Sequence, residues 1–174
     1  MLHSSTVSAG TGTAVPPTEY VLNPGLETTQ SGWTGIYNGS SKVTRSSAAA
    51  HTGSWALRLG SSSGSAAPAG VNNVNPVWVT NSAAGKPYTT GGWVRATTVG
   101  TTVRVLLKEV AGSTTVGSAQ SATLTLGDTA WHRLPTVTYT AQRNGDAVKT
   151  SLLATNLNTS RAVFFDDLSL TAPP

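Results

Sequence analysis

Polar and apolar residues alternate in short runs along most of the chain, and Gly, Asn, Ser and Pro separate these runs. In one run Val103, Val105 and Leu107 fall on one side of a strand, opposite Arg104 and Lys108. Alternation with a period of two is typical of strands that bury one face. No window of a dozen residues shows the spacing of an amphipathic helix. The pattern therefore predicts an all-β protein.

Eleven short strands are predicted, and together they indicate a single antiparallel β-sandwich, most simply a jelly roll. We assign residues 18–172 to this domain and residues 1–17, which lack any apolar period, to a flexible Ser/Thr/Gly/Pro linker. The predicted strands are Glu19–Leu22, Trp33–Tyr37, Lys42–Arg45, Ser54–Leu59, Pro76–Thr80, Pro87–Ala96, Thr101–Val110, Ser121–Leu126, Trp131–Ala141, Ala147–Ala154 and Arg161–Thr171. In the last strand, Phe164, Leu168 and Leu170 are expected on the same side as Asp166.

Composition removes several classes of function. The 174 residues contain no Cys, so disulfides, thiol chemistry and Cys-ligated metals are excluded. The net charge of +4 comes from having only 7 Asp and Glu against 11 Lys and Arg. It permits an acidic partner without requiring one. No dense Lys/Arg cluster indicates nucleic acid, and no apolar run is long enough to cross a membrane.

Few side chains are available for catalysis. Glycoside hydrolysis needs two carboxylates that face one bond, and no two acids outside the motifs described below share a strand face. No G-x-S-x-G elbow, phosphate-binding loop or dinucleotide fingerprint occurs. We therefore expect a protein that is not an enzyme.

Four motifs occur in order between Tyr20 and Thr171. They are NPGLE at 23–27 with GW at 32–33, HTGSWALRL at 51–59, GKPYTTGGWVRA at 85–96, and WHRL at 131–134 with FFDDLSL at 164–170. In order and spacing they resemble the carbohydrate-binding modules of the four/nine/twenty-two group, which are galactose-binding-like jelly rolls. The resemblance implies non-catalytic polysaccharide binding. It also implies that the motif aromatics are core residues, namely Trp33, Trp55, Tyr88, Trp131 and Phe164.

The resemblance further implies a structural calcium ion that joins the two ends of the domain. Calcium takes six to eight oxygen ligands, which suits carboxylates and carbonyls. In the alternative interpretation, Glu27, Asp166 and Asp167 cap turns or pair with Arg58 or Arg161. The implied ligands are the carbonyls of Gly25, His51 and Ser54 and the carboxylates of Glu27 and Asp166.

Six side chains are candidates for contact with sugar: Tyr37, Trp78, Trp93, Arg95, Arg104 and Lys108. If the strands 87–96 and 101–110 are neighbours, the last four share one sheet face. Trp93 then either stacks on sugar or covers a second layer of packing. The three cations either grip hydroxyls and uronate carboxylates or are the solvated side of an edge or outer strand. Glu109 is either an acceptor for nearby hydroxyls or a charge at a strand end.

The leading hypothesis is a monomeric, secreted module that targets a covalently linked carbohydrate-active enzyme to polysaccharide, with no nucleic-acid or membrane partner. The alternative is a sandwich of the same shape that serves as an adhesion, spacer or protein-interaction domain of a surface or virion protein. Retardation in gels that contain soluble polysaccharide separates these two hypotheses.

Overall fold

The computed structural model describes residues 15–37, 40–74 and 77–174, and within them the chain forms thirteen strands and no helix. None of the described residues belongs to a helix that is long and apolar enough to span a membrane. Most of the predicted linker, residues 1–14, lies outside the described residues. The strands are β1 (Thr18–Glu19), β2 (Trp33–Gly35), β3 (Ser41–Ser46), β4 (Ala56–Ser61), β5 (Ala67–Asn73), β6 (Pro87–Ala96), β7 (Thr101–Ala111), β8 (Thr114–Gln120), β9 (Leu124–Leu126), β10 (His132–Arg133), β11 (Val137–Thr140), β12 (Ala147–Leu157) and β13 (Ala162–Ala172).

The strands form two sheets, and every pairing between named strands is antiparallel. The first sheet has the order β10-β6-β13-β4-β3, with β1 added to β13 and β11 added to β6. The second sheet has the order β2-β5-β12-β7-β8, with β9 added to β7. The predicted antiparallel β-sandwich is therefore confirmed.

The core lies between the sheets and is built from one side of each strand. Val94 of β6 is the register partner of Phe165 of β13, and both are fully buried. In the second sheet Val105 and Leu152 are partners in the same way. Burial of such side chains contributes about 1.5–3 kcal/mol each, so these inward positions hold the sandwich together.

The predicted strands match where branched or aromatic residues alternate, and fail where small residues replace them. Strand β6 has the predicted bounds, whereas β5 and β8 were not predicted at all. Their sequences, APAGVNN and TTVGSAQ, carry too few large apolar residues to show a period. In the predicted strand at 76–80, Val79 makes only an isolated bridge to Val148, and position 76 lies outside the described residues.

The condition under which Trp93 and the three cations would share one sheet face, that β6 and β7 are neighbours, is not met. The chain crosses from the first sheet to the second in the turn at 97–100, so Trp93 and Arg95 lie on a different sheet from Arg104 and Lys108. Alternation determines which residues of one strand share a side. It contains no information about which sheet the strand joins.

The expected sidedness of the last strand is also corrected. Register along β13 shifts between Asp166 and Ser169, which marks a bulge. Because a bulge inserts an extra residue, Leu168 and Leu170 turn into the main core. Phe164 instead packs on the outer side, in a small separate cluster with Ala49, Ala56 and Trp131.

Candidate functional site

A cleft of about 240 Å³ opens on the outer side of the second sheet. It lies across β5, β12 and β7 and is bordered by the second residue after β2 and by the segment before β9. Tyr37 supplies its aromatic ring. We call this feature the cleft; its lining residues are Tyr37, Pro68, Thr102, Val103, Arg104, Thr123, Leu153, Ala154 and Thr155.

A glycine in β5 allows apolar side chains to pack beside the cleft. A Cβ atom on Gly70 would lie 2.7 Å from Ile36 Cδ1 and 2.8 Å from Leu153 Cδ2, closer than real contacts permit. Ile36 and Leu153 therefore cover the backbone of β5 at this point, and Leu153 also lines the cleft. Any larger residue at position 70 would displace them.

Tyr37 is presented to solvent by an unusual backbone conformation. Its φ is 66°, a left-handed conformation that bulky residues rarely adopt and that clusters at functional sites. Its carbonyl accepts hydrogen bonds from Ser40 N at 3.0 Å and Ser40 Oγ at 2.7 Å. Tyr37 is 43% exposed, and it lines the cleft.

Hydroxyl and cationic groups follow the ring along the two central strands. Thr102 and Thr155, on β7 and β12, are joined by a hydrogen bond of 2.5 Å between their hydroxyl oxygens. Arg104 is exposed and lies two residues further along β7 on the same side. A ring, hydroxyls and a guanidinium on a rigid sheet are the groups that bind sugar C–H surfaces and sugar hydroxyls.

Two lysines extend this surface beyond the cleft. Lys108 of β7 and Lys149 of β12 are direct register partners, and both are half-buried. Lys149 was not among the predicted site residues. Alternation within the predicted strand 147–154 does place it opposite Val148 and Leu152, so the signal was present.

Three of the predicted sugar-binding residues lie away from the cleft. Trp78 packs edge-on against Trp33, with ring centroids 5.0 Å apart, and borders a separate pocket of about 110 Å³ beside Leu22. Trp93 and Arg95 lie on the outer side of the first sheet, and Trp93 stacks on the His51 ring at 3.9 Å. The structure thus brings Tyr37 and Arg104 together in the cleft, with Lys108 on the same sheet face.

The residues proposed to hold calcium do converge, at the opposite side of the molecule. The bulge in β13 turns two successive carboxylates towards one turn, which strict alternation would forbid. Asp166 Oδ2 accepts hydrogen bonds from His51 N at 2.7 Å and Thr52 N at 3.2 Å. Asp167 Oδ2 lies 2.6 Å from His51 Nδ1, and its Oδ1 accepts a hydrogen bond from the Thr52 hydroxyl.

Glu27 reaches the same turn from the N-terminal side. Its Oε1 accepts hydrogen bonds from Ser54 N and Trp55 N, both at 3.0 Å. Gly53 has a φ of 63°, and a side chain there would collide with the Glu27 carboxylate. Position 53 therefore requires glycine, which adopts a left-handed φ without strain and has no Cβ atom to collide with Glu27. We call Glu27, Asp166 and Asp167 the carboxylate cluster.

Gly25 lies at the centre of the carboxylate cluster. A Cβ atom on it would lie 3.6 Å from Glu27 Cγ, 3.7 Å from Asp166 Oδ1 and 3.8 Å from Asp167 Oδ1. Asp166 is fully buried. Burial raises its pKa, backbone N–H groups oppose the rise, and the nearby charge of Asp167 adds to it.

The donor chemistry of the carboxylate cluster fits calcium only with the help of the backbone. The described ranges contain no group of three or more His, Cys, Asp or Glu side chains that could hold a metal ion. Carbonyl oxygens, such as those of Gly25, His51 and Ser54, would have to complete a shell of six to eight. The alternative of turn capping also has support, because the Glu27 and Asp166 carboxylates both accept backbone N–H groups of residues 51–55.

Glu109 does not face the cleft. It is fully buried, and its carboxylate accepts hydrogen bonds from Tyr139 Oη at 2.7 Å, Gln142 N at 2.8 Å and Arg143 N at 2.9 Å. Burial raises the pKa of Glu109, but these hydrogen bonds and one from Ser82 outweigh it and leave the pKa below its ordinary value. Burial and the Glu109 carboxylate raise the pKa of Tyr139 to about 12. Of the two alternatives that the sequence left open for Glu109, acceptance from ligand hydroxyls is therefore excluded by its burial.

Comparison with known proteins identifies the architecture. No protein-family model and no curated protein sequence matches the chain. Among solved structures, TmCBM61 in complex with β-1,4-galactotriose is 20% identical with a TM-score of 0.61, over 88% of this chain and 97% of that one. The CBM22-1 xylan-binding domain of Paenibacillus barcinonensis Xyn10C is 17% identical with a TM-score of 0.63, over 95% of this chain and 98% of that one.

The chain has the jelly-roll fold of these carbohydrate-binding modules. A third example is the CBM22-1–GH10 structure of Clostridium thermocellum Xyn10B, complexed with xylohexaose. It is 17% identical with a TM-score of 0.67, over 88% of this chain and 28% of that one. This chain covers only part of the xylanase structure, because that structure contains a GH10 module beside the domain of this fold. The predicted jelly roll is thereby confirmed.

Proposed function

We propose that this chain binds polysaccharide without cleaving it, through the cleft beside Tyr37. The observation that carries the proposal is the placing of an exposed ring, two threonine hydroxyls and a guanidinium along one rigid sheet face. Among the neighbours of the same fold, one is solved in complex with β-1,4-galactotriose and another is a xylan-binding domain. An open groove of this kind accepts a chain along its length, and its sites are individually weak because they stay wet.

The biological use of such binding is avidity. A module joined to a catalytic domain raises the local concentration of substrate that the enzyme experiences, without any new contact. We propose that this chain acts in that way as a monomeric module of a secreted carbohydrate-active enzyme. The occurrence of the fold beside a xylanase module supports the idea.

We also propose that the carboxylate cluster holds a structural calcium ion. Glu27 and Asp166 would supply carboxylate oxygens, and Gly25, His51 and Ser54 would supply carbonyls. The ion would neutralise carboxylates that have no Lys or Arg partner among the described residues. It would tie the N-terminal loop to the last strand, and so act on stability rather than directly on sugar binding.

Retardation in native gels that contain β-1,4-galactan or xylan tests the sugar proposal. Tyr37→Asn removes the ring while keeping a residue that tolerates positive φ, so we expect it to abolish retardation without unfolding the chain. Tyr37→Phe keeps the ring and should bind nearly as well as the parent. Equal retardation of all three proteins would contradict the proposed site, and silence across neutral and acidic glycans would favour the adhesion or spacer hypothesis.

Thermal unfolding in calcium and in EDTA tests the metal proposal. An ion at 100 times its Kd adds about 2.7 kcal/mol, so the chain should melt several degrees higher in calcium than in EDTA. Asp166→Asn should remove that difference, whereas Asp128→Asn, in an exposed turn, should keep it. Identical melting in calcium and EDTA would mean that backbone capping alone closes the turn.

A further inference from the structure

The sheet face that carries the cleft has a row of positive charges and no negative ones. Lys108, Lys149 and Arg104 lie on the outer side of β7 and β12. The seven acids of the chain all lie elsewhere, in Glu19, Glu27, Glu109, Asp128, Asp146, Asp166 and Asp167. Glu109, the one acid on β7, is fully buried on the inner side. We call these three cations the cationic row.

The two lysines are placed at a cost to the protein. Direct partners in an antiparallel pair have Cβ atoms about 5 Å apart, and like charges there are destabilising. Lys108 also faces Ser118 of β8 on its other side, which offers no compensating charge. Within the described part of the chain, the side chains of these three residues make no hydrogen bond or ion pair.

Protection of a sheet edge does not explain these charges. Lysine and arginine on edge strands discourage aggregation, and the sequence left that interpretation open for Arg104 and Lys108. The second sheet has the order β2-β5-β12-β7-β8, so β7 and β12 are internal strands, as is β5. Edge protection therefore does not account for a like-charge pair on internal strands, and an anionic ligand provides a reason for it.

Spacing along the strand indicates what kind of anion fits. Arg104 and Lys108 are four residues apart on β7, a distance of about 14 Å at strand rise. A single small anion would contact both groups only if both side chains folded flat along the strand. A polymer with a negative charge at repeated sugar units contacts both in extended conformations, and the planar arginine group matches a carboxylate in particular.

We propose that the cleft and the cationic row together bind an acidic polysaccharide whose uronic acid carboxylates contact Arg104, Lys108 and Lys149. This inference rests on the proposed sugar-binding function and names the substrate class of the same site. Tyr37 stacks on a sugar ring at one end, and the cations neutralise charge along the rest of the chain. The repulsion between Lys108 and Lys149 is relieved when the ligand is bound.

Isothermal titration with paired ligands tests the proposal. The probes are sodium polygalacturonate and alginate, each beside its carboxyl-reduced neutral polymer, with β-1,4-galactan and xylan as further neutral glycans. We expect at least one acidic polymer to bind about tenfold or more tightly than its reduced form, as charge-assisted hydrogen bonds would produce. The difference should shrink as salt rises from 50 to 300 mM, since salt screens exposed charges.

Variants separate a specific row from bulk charge. Lys108→Gln with Lys149→Gln should lose about tenfold in affinity for the acidic polymer and nothing for the neutral one. Lys42→Gln with Lys86→Gln removes the same charge away from the second sheet and should bind like the parent. The first pair should also melt at the same or a higher temperature, because it removes a like-charge contact; a structural role would lower the melting point.

Each contrary result identifies what has failed. Equal affinity for the acidic and reduced forms of every polymer would overturn the acidic ligand and leave sugar binding intact. Equal losses in the two variant pairs would overturn the specific row, because net charge alone would then explain binding. Absence of binding to every acidic and neutral polymer would overturn the proposed function and this inference with it.

Discussion

The outer sides of the two sheets use their aromatic residues in opposite ways. On the first sheet, Trp93, His51 and Trp131 pack on one another beside buried Phe164, so the aromatic rings are occupied by protein. On the second sheet, Tyr37 is exposed, and the cations beside it have no partner among the described residues. Rings that pack on other side chains indicate a structural face, and an exposed ring beside cations on a sheet indicates a binding face.

The same comparison explains why tryptophan content is a poor guide to the sugar site. Trp93 lies on the outward side of its strand, where a ring could stack on sugar. Its ring instead stacks on the His51 ring, with the centroids 3.9 Å apart. Arg133 approaches the same ring, with Cζ 4.8 Å from its centroid. A loop that covers the first sheet therefore converts a candidate ligand contact into packing.

The largest effect is expected from breaking the packed face. Phe164 is 5% exposed, and Phe164→Ala should cost about 3 kcal/mol of unfolding free energy because it leaves a cavity in the small outer cluster. Affinity for glycan should be unchanged as long as the protein is folded. Denaturant unfolding measures the loss, with Val99→Ala, at an exposed turn position, as the control that should change little. A loss of glycan affinity in folded Phe164→Ala would contradict the division between the two faces.

The two sides of β7 allow a second, smaller test. Glu109→Gln should cost about 2 kcal/mol, because an amide cannot accept all the hydrogen bonds that the buried carboxylate accepts. The pKa of Glu109 lies below its ordinary value of 4.5 in the folded protein. The unfolded chain therefore binds more protons than the folded one at pH values between the folded pKa and the ordinary pKa. Stability from this group is therefore complete above pH 4.5 and is lost as pH falls through the folded pKa.

Unfolding measured at several pH values checks that sign. The parent protein should lose stability on acidification more steeply than Glu109→Gln below pH 4.5. Parallel curves for the two proteins would mean that Glu109 does not carry the expected pH dependence. The outward neighbour Lys108 supplies the contrast, because Lys108→Gln should leave the acid limb of the parent curve unchanged.

The smallest stability effect is expected at Trp93, for which the sequence left both packing and ligand binding open. Trp93→Ala should cost about 1 kcal/mol through loss of its ring contacts, and it should leave polysaccharide affinity intact. Trp93→Phe should recover part of the stability. Glycan binding abolished in a folded Trp93→Ala protein would move the sugar site to the first sheet.

The fold and the converging ends of the domain could be predicted because they depend on local pattern and on motifs. Alternation in β6 and β7 gave their inward faces, and the resemblance brought Glu27 to the same turn as Asp166. The sugar face could not be predicted in the same way. It depends on which sheet each strand joins, on the bulge in β13 and on the loop that carries His51. None of these can be inferred from the alternation within a single strand.

Lys149 shows this limit most clearly. Its outward position follows from the alternation in its own strand. Its pairing with Lys108, which lies 41 residues earlier in the sequence, depends on β7 and β12 being neighbours, and alternation does not show this. Only the sheet order reveals that two internal lysines face each other.

An amide-resolved NMR titration with an acidic oligosaccharide such as a galacturonate trimer tests the central claim most directly. Shifts should concentrate on β7, β12 and the residues around Tyr37, while the amides of β6, β4 and the outer part of β13 stay in place. Shifts concentrated on the first sheet around Trp93 and Arg95, with the second sheet silent, would contradict the account.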